Sequence, residues 1–366
     1  MMNWKIGAAI VVVVAGALEV AARSQGTAPP VPQFQLDHSW PKPLPNQWQL
    51  GPVTGVFVDA RDQIWINSQS DKLDRYDLAL EHGAGECCRP APRVVVFDMA
   101  GNVVKSWGGP GQGYEWPTAP HAIYVDHKQN VWITANGKDD THVLKFTNDG
   151  KFLLQIGKKG VSNGSNDTAN LNKAAGIAVW PATNEVFIGD GYGNRRVIVF
   201  DADTGAYKRH WGAYGKRPED VEPTRKFEGE GATQFSTVHG LSITPDGVVW
   251  VADRVGNRIQ QFRIDGTYIR EAFVARKTTN NTGTVYGFSF STDPQMSWVY
   301  VADGSNKKVH ILDRKTLATV GFFGGLGGQM PGAFNHLHGT SVDSKGNVYT
   351  MEAAAGARIQ RWIMKK

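Results

Sequence analysis

Three histidines stand at one position of a repeated unit. They are His121 in Pro120-His121-Ala122-Ile123, His239 in Val238-His239-Gly240-Leu241 and His338 in Leu337-His338-Gly339-Thr340. Each opens a short apolar strand followed by a turn and a second strand: Ile123 to Trp132, Leu241 to Trp250 and Thr340 to Tyr349. One such histidine reads as a core residue bonded to a backbone carbonyl. Three at one column of a ring converge on its axis, and convergent neutral imidazoles call for a ligand. Zinc held by three imidazoles with one open position is the first expectation; copper, nickel and iron also accept imidazole. His336 faces the same way two residues earlier and reads as a neighbour rather than a fourth ligand.

A metal that does chemistry needs a base and an anion-binding group beside it. Tyr192 in Gly189-Asp190-Gly191-Tyr192-Gly193-Asn194-Arg195 and Arg254 in Ala252-Asp253-Arg254 follow equivalent second strands of neighbouring units, so both are predicted on one face. A tyrosine next to a dication and a guanidinium has a lowered pKa and can take a proton. The alternative is a rim tyrosine and an exposed arginine. Asp190, Asp253 and Asp303 recur with the unit and read as structural, bonding to turn amides.

The elements that must position these residues are short strands with a period of two. Asp246-Gly247, Asp265-Gly266, Asn148-Asp149-Gly150 and Ala100-Gly101-Asn102 read as hairpin turns. The strand pattern repeats six times, with unit starts at Thr54, His121, Ala175, His239, Tyr286 and His338. The prediction is an all-β, six-bladed β-propeller of four-stranded blades, in which histidine occupies alternate blades about 120° apart. Small residues at Thr54 and Ala175 leave room on the axis. Unit six lacks a fourth strand before the chain ends at Lys366, and Phe34-Gln35-Leu36 to Trp48 is predicted to supply it and clasp the ring.

The 366 residues, 41% of them hydrophobic, suit a folded chain, and a formal charge of only +5 with no basic block argues against a nucleic-acid surface. Lys5, the apolar run Ile6 to Leu18 and Val20-Ala21-Ala22 read as a cleaved export signal over 1–22, too short to span a bilayer comfortably. A Pro-rich linker over 23–33 and a single propeller domain over 34–366 follow. The expected location is secreted or periplasmic, with no membrane attachment after cleavage. Cys87-Cys88 reads either as a vicinal disulfide or as two loop thiols. They lie in a long insert over 67–93 of unit one; Gly108 to Trp116 and Gly160 to Asn172 are further candidate rim loops.

The units resemble the NHL repeat, most clearly in Val251-Ala252-Asp253-Arg254-Val255-Gly256-Asn257-Arg258-Ile259-Gln260. More specifically, the chain resembles the peptidyl-α-hydroxyglycine α-amidating lyase family, over nearly all of the mature chain. That resemblance implies a six-bladed propeller with axial zinc on His121, His239 and His338. It also implies a catalytic tyrosine at Tyr192 and an active-site arginine at Arg254. The family's further arginine after the second strand of the first blade is replaced here by Asn67-Ser68-Gln69, with Arg75 out of register. The family's Asp after the third histidine, associated with a structural calcium, is Gly339 here, and a family methionine near that site is His336. The implied function is a zinc-dependent lyase that cleaves the C–N bond of an α-hydroxyglycine-type carbinolamide in a small-molecule or peptide substrate. Two other readings stand beside it. One is a non-catalytic propeller presenting its rim to a protein or glycan; the other is a metal-dependent hydrolase such as a lactonase, although six-bladed lactonases use carboxylate and amide ligands that this column lacks.

Overall fold

Strands of three to seven residues with buried aliphatic and aromatic side chains pair antiparallel into six four-stranded sheets. The computed structural model describes Met1 and residues 30–365. The chain divides into Met1–Pro30 and Val31–Lys366, and the second unit holds the whole repeat. The expected export signal over 1–22 and most of the Pro-rich linker lie outside the described residues. Among the described residues no helix is long and apolar enough to cross a membrane.

The inner strands of the six blades are Val53–Val58, Pro120–Val125, Gly176–Trp180, Val238–Thr244, Gly287–Phe290 and Leu337–Val342. The second strands are Ile64–Ser68, Val131–Ala135, Glu185–Asp190, Val248–Asp253, Trp298–Asp303 and Val348–Glu352. One aromatic residue recurs near the base of each second strand: Trp65, Trp132, Phe187, Trp250, Tyr300 and Tyr349, all fully buried. Four of them bond locally. Trp65 and Trp132 Nε1 donate to Asp59 and Asp126 at 3.0 Å, Trp250 Nε1 to Thr244 Oγ1 at 3.2 Å, and Tyr349 Oη to Asp343 at 3.1 Å. These bonds meet the need of a buried indole or phenol for a partner.

The last blade is completed from the N-terminus. Phe34–Leu36 pairs antiparallel with Arg358–Met364, matching Gln35 to Ile363. The clasping strand is three residues long, shorter than the predicted segment through Trp48. The rest of that segment runs as a strap. Trp40 inserts between blade one, at Phe97, and blade six, at Tyr349, with ring centroids 5.5 and 4.9 Å away. Trp48–Gln49 then pairs in parallel with Arg89–Pro90 of the blade-one loop.

That loop is also shorter than expected, because Asn67 and Ser68 belong to the second strand and the connection runs over 69–93. Cys87 and Cys88 are joined there as a vicinal disulfide. The antiparallel order places the loops between second and third strands, and those between blades, on one face. It is the face at which the inner strands begin, and it carries the long connections 108–119, 158–175, 212–237 and 325–336. The opposite face has mostly tight turns. A site on the long-loop face is therefore built from rigid strand ends and walled by variable loops.

Candidate metal centre

The three histidines sit in β-bulges at the start of their inner strands. Pairing skips from Val238 to Gly240, from Leu337 to Gly339 and from Pro120 to Ile123, which leaves His239, His338 and His121 outside the ladder. A bulged residue is released from the pleat and its side chain re-aimed. The small residue after His239 lets the neighbouring inner strand come close: a Cβ on Gly240 would lie 2.9 Å from Gly287 Cα; after Thr54, which holds the same column position in blade one, a Cβ on Gly55 would lie 2.7 Å from the His121 carbonyl.

The released imidazoles converge. Their ring centroids form a nearly equilateral triangle with sides of 4.7, 4.8 and 4.8 Å. All three side chains are buried, and their ligand nitrogens lie within 4.8 Å of one another. The blades without histidine orient them. His121 Nδ1 donates to Ala175 O at 3.1 Å, His338 Nδ1 to Thr54 O at 3.1 Å, and His239 Nδ1 to Tyr286 O. A carbonyl only accepts, so each Nδ1 carries the proton and each Nε2 keeps its lone pair. Burial holds His121 neutral, at about 3, against the lesser opposing effect of its bond to Ala175. Burial first, then the Arg254 charge and the other two imidazoles, hold His239 well below the usual range, and burial, then His121, His336 and Arg254, do the same for His338. Three neutral imidazoles with lone pairs turned inward are what a divalent metal requires, so these residues can hold a metal ion.

Tyr192 and Arg254 close one side of this triangle. Tyr192 Oη lies 3.0 Å from His239 Nε2 and 3.2 Å from His121 Nε2, and accepts from Arg254 Nη1 at 2.9 Å. Its loop is pinned to the scaffold. A Cβ on Gly191 would overlap the Val238 backbone, one on Gly193 the Asn172 side chain, and Asn194 Nδ2 donates to Asp190 at 2.7 Å. Burial pushes the Tyr192 hydroxyl up more than the Arg254 guanidinium pulls it down. Arg254 Cζ stands 5.0 Å from the centroids of both the Tyr192 and Tyr286 rings, and its Nε is buried without a partner. No carboxylate among the described residues pairs with it.

Asp190, Asp253 and Asp303 hold the turns, as their recurrence implied. Asp190 accepts from Asn172 N at 2.8 Å and Arg196 Nε at 2.9 Å; Asp253 accepts from Ser236 N, Thr237 N and Arg258 Nε; Asp303 bonds Asn306 and His310. At the first-blade position the two amides are engaged inward. Asn67 Nδ2 donates to His121 O at 2.8 Å and Gln69 Nε2 to Pro120 O at 2.9 Å, which fixes the first histidine's strand to blade one. Arg75 lies in the exposed loop against Tyr76, away from the site.

Below the histidines an axial cavity of about 350 Å³ runs between the inner strands. None of the described residues lining it is an Asp or a Glu, and the Met351 methyl fills the space a side chain on residue 339 would take. A calcium site there does not fit these residues. Two contributors went unpredicted: Asn136, whose side-chain amide near the Tyr192 hydroxyl favours its charged form, and Tyr286, which stacks on Arg254 and orients His239. Asn136 holds the same place after its second strand as Arg254 does, and that register was the available signal.

Comparison with known proteins matches the NHL repeat at residues 235–262. The chain is 26% identical over 246 residues to the peptidyl-glycine alpha-amidating monooxygenase A of Xenopus laevis, a match covering 65% of this chain and 24% of that protein. It is 31% identical over 182 residues to peptidyl-alpha-hydroxyglycine alpha-amidating lyase 2 of Drosophila melanogaster, covering 47% of this chain and 41% of the relative. It is also 26% identical over 242 residues to NHL repeat-containing protein 3 of Mus musculus, covering 64% and 58%. The chain thus matches about a quarter of the length of the Xenopus relative.

Proposed function

We propose that this chain is a metal-dependent lyase that cleaves the C–N bond of an α-hydroxyglycine-type carbinolamide, releasing an amide and an aldehyde acid. The observation that carries this reading is the phenol of Tyr192, facing two of three convergent imidazoles and accepting from the Arg254 guanidinium. The similarity to a relative named as an α-hydroxyglycine amidating lyase supports it. A divalent metal, zinc by preference, on His121, His239 and His338 would supply a Lewis acid for a substrate oxygen.

The chain's own groups do the rest. Tyr192 Oη takes the proton of the substrate hydroxyl as that C–O bond becomes a carbonyl and the C–N bond breaks. The leaving nitrogen keeps the bonding pair and receives the proton that Tyr192 took, so atoms and electrons balance. Arg254 stabilises the tyrosinate form of Tyr192 that takes the proton, through the 2.9 Å hydrogen bond and its position over the ring. The bulged strand starts hold the histidines rigid. Export of the chain and a small-molecule or peptide substrate complete the proposal.

The test is turnover of N-benzoyl-α-hydroxyglycine by the metal-loaded protein. Wild type should form benzamide and glyoxylate. Tyr192→Phe should lower kcat by about 10²-fold or more at unchanged metal content, the usual size of a lost general base. No turnover by metal-loaded wild type sinks the reaction.

A further inference from the structure

One group at the mouth of the site is unused by the proposed chemistry. His336 lies in the connection between blades five and six, directly before the inner strand that carries His338. It is about half-buried, and its ring centroid stands 6.0 Å from that of His338 and 5.7 Å from that of Tyr286. Tyr286 in turn carries Arg254 on its face, 5.0 Å away, so His336 and Arg254 flank the same phenol. The His336 backbone N–H is bonded to Glu352 at 3.1 Å, but its ring nitrogens meet no partner among the described residues. Lys307 bonds the carbonyl of Asn335, the residue before it, and brings a second positive charge to this side. Glu352, the nearby acid, is spent on the backbone of Asn335 and His336 and on Arg358.

Arg254 is engaged in part. One of its terminal nitrogens bonds Tyr192 and the guanidinium is held between two phenol rings, while its Nε has no partner. A carboxylate one bond from the reacting carbon has two oxygens to satisfy, and a second donor on the open side of Tyr286 would share it with Arg254. We propose that the His336 ring N–H, backed by the Lys307 ammonium, binds the substrate carboxylate and makes the site selective for acids over their amides or esters. A neutral imidazole suffices, because it still offers one N–H. Burial, then Lys307 and Arg254, keep this ring on the neutral side. This assignment rests on the lyase reading, which supplies the substrate's carboxylate.

The test separates the two by measuring binding rather than turnover. Hippurate (N-benzoylglycine) and hippuramide differ only in carboxylate against carboxamide and have no hydroxyl to react. Their affinities are measured by calorimetry on metal-loaded wild type, His336→Met and His336→Gln, with metal content and melting temperature checked for each. Wild type should prefer hippurate. His336→Met should lose about tenfold of that preference, the scale of one hydrogen bond to a charged group. His336→Gln, which keeps an N–H donor, should retain most of it. Should His336→Met fail to fold, Lys307→Met reports the same loss in smaller measure. Equal preference in all variants, or no hippurate binding by wild type, overturns the assignment. Binding that depends on His336 without turnover of the hydroxylated compound refutes the reaction and leaves carboxylate recognition standing.

Discussion

At the scale of single residues, three hydrogen bonds decide what the centre can do. Each metal-facing histidine gives its Nδ1 proton to the carbonyl of the next residue in the axial column: Ala175, Tyr286 or Thr54. The three blades without histidine are therefore part of the site. They set the tautomer, and burial keeps the rings neutral. Removing one ring should undo the site without undoing the fold, because the other two face an open axial cavity. Purified His239→Ala should carry less than a tenth of the metal held by wild type, which should bind about one equivalent. Elemental analysis of both proteins checks this. Equal metal in the two would show that the metal sits elsewhere, and no metal in either would favour a binding propeller.

At the scale of the blade, an acid at the end of the second strand grips a base on the third. Asp190 holds Arg196, Asp253 holds Arg258, Asp303 holds His310 and Glu352 holds Arg358. Asp190, Asp253 and Glu352 also accept backbone N–H groups from the connection entering the blade, so these pairs tie a long loop to two strands. Tyr192 and Arg254 leave the sheet within two residues of these acids, and the latch limits how far they can move. Arg258 is fully buried, and it also bonds Gln234 O and Glu271. Arg258→Met leaves Asp253 buried without its counter-charge, which should cost about 3–5 kcal/mol. Urea denaturation of the two proteins reads that loss. Metal content of the folded variant should stay at wild-type level, since Arg258 does not touch the histidines. Three of the six blades were legible in this respect, from the recurring Asp190, Asp253 and Asp303. Blades one and two, with Ser68 and Ala135 at the acid position, were not, because their loops are held by other bonds.

At the scale of the whole ring, closure depends on the first few residues of the propeller. Phe34–Leu36 completes blade six, Arg361 Nε bonds Asp37 at 2.9 Å, and Trp40 is buried between the first and last blades. A propeller opened at this seam would expose two blade faces, so the seam carries stability for every blade. Trp40→Ala should cost about 3–5 kcal/mol, as loss of a buried indole does elsewhere. The variant should still unfold in one transition, because the remaining blades share their cores with both neighbours. A thermal melt shifted by no more than a degree or two would show that the strap is not a clasp.

The order of strands, the six repeats and the all-β class are written in the sequence, since period-two alternation and turn residues are local properties of the chain. So is the axial column, because equivalent positions of a closed ring must face its centre. Tyr192 and Arg254 were found by the same register. What the sequence could not supply is every feature that joins residues far apart in the chain. His338 takes its orientation from Thr54, 284 residues away, and the three-residue clasp stops where Trp40 finds its place between two blades. Asn136 and Tyr286 join the site, and His336 opens onto it, only because neighbouring blades bring their loop ends to one face. Ring closure sets those distances, and no periodicity along the chain encodes them.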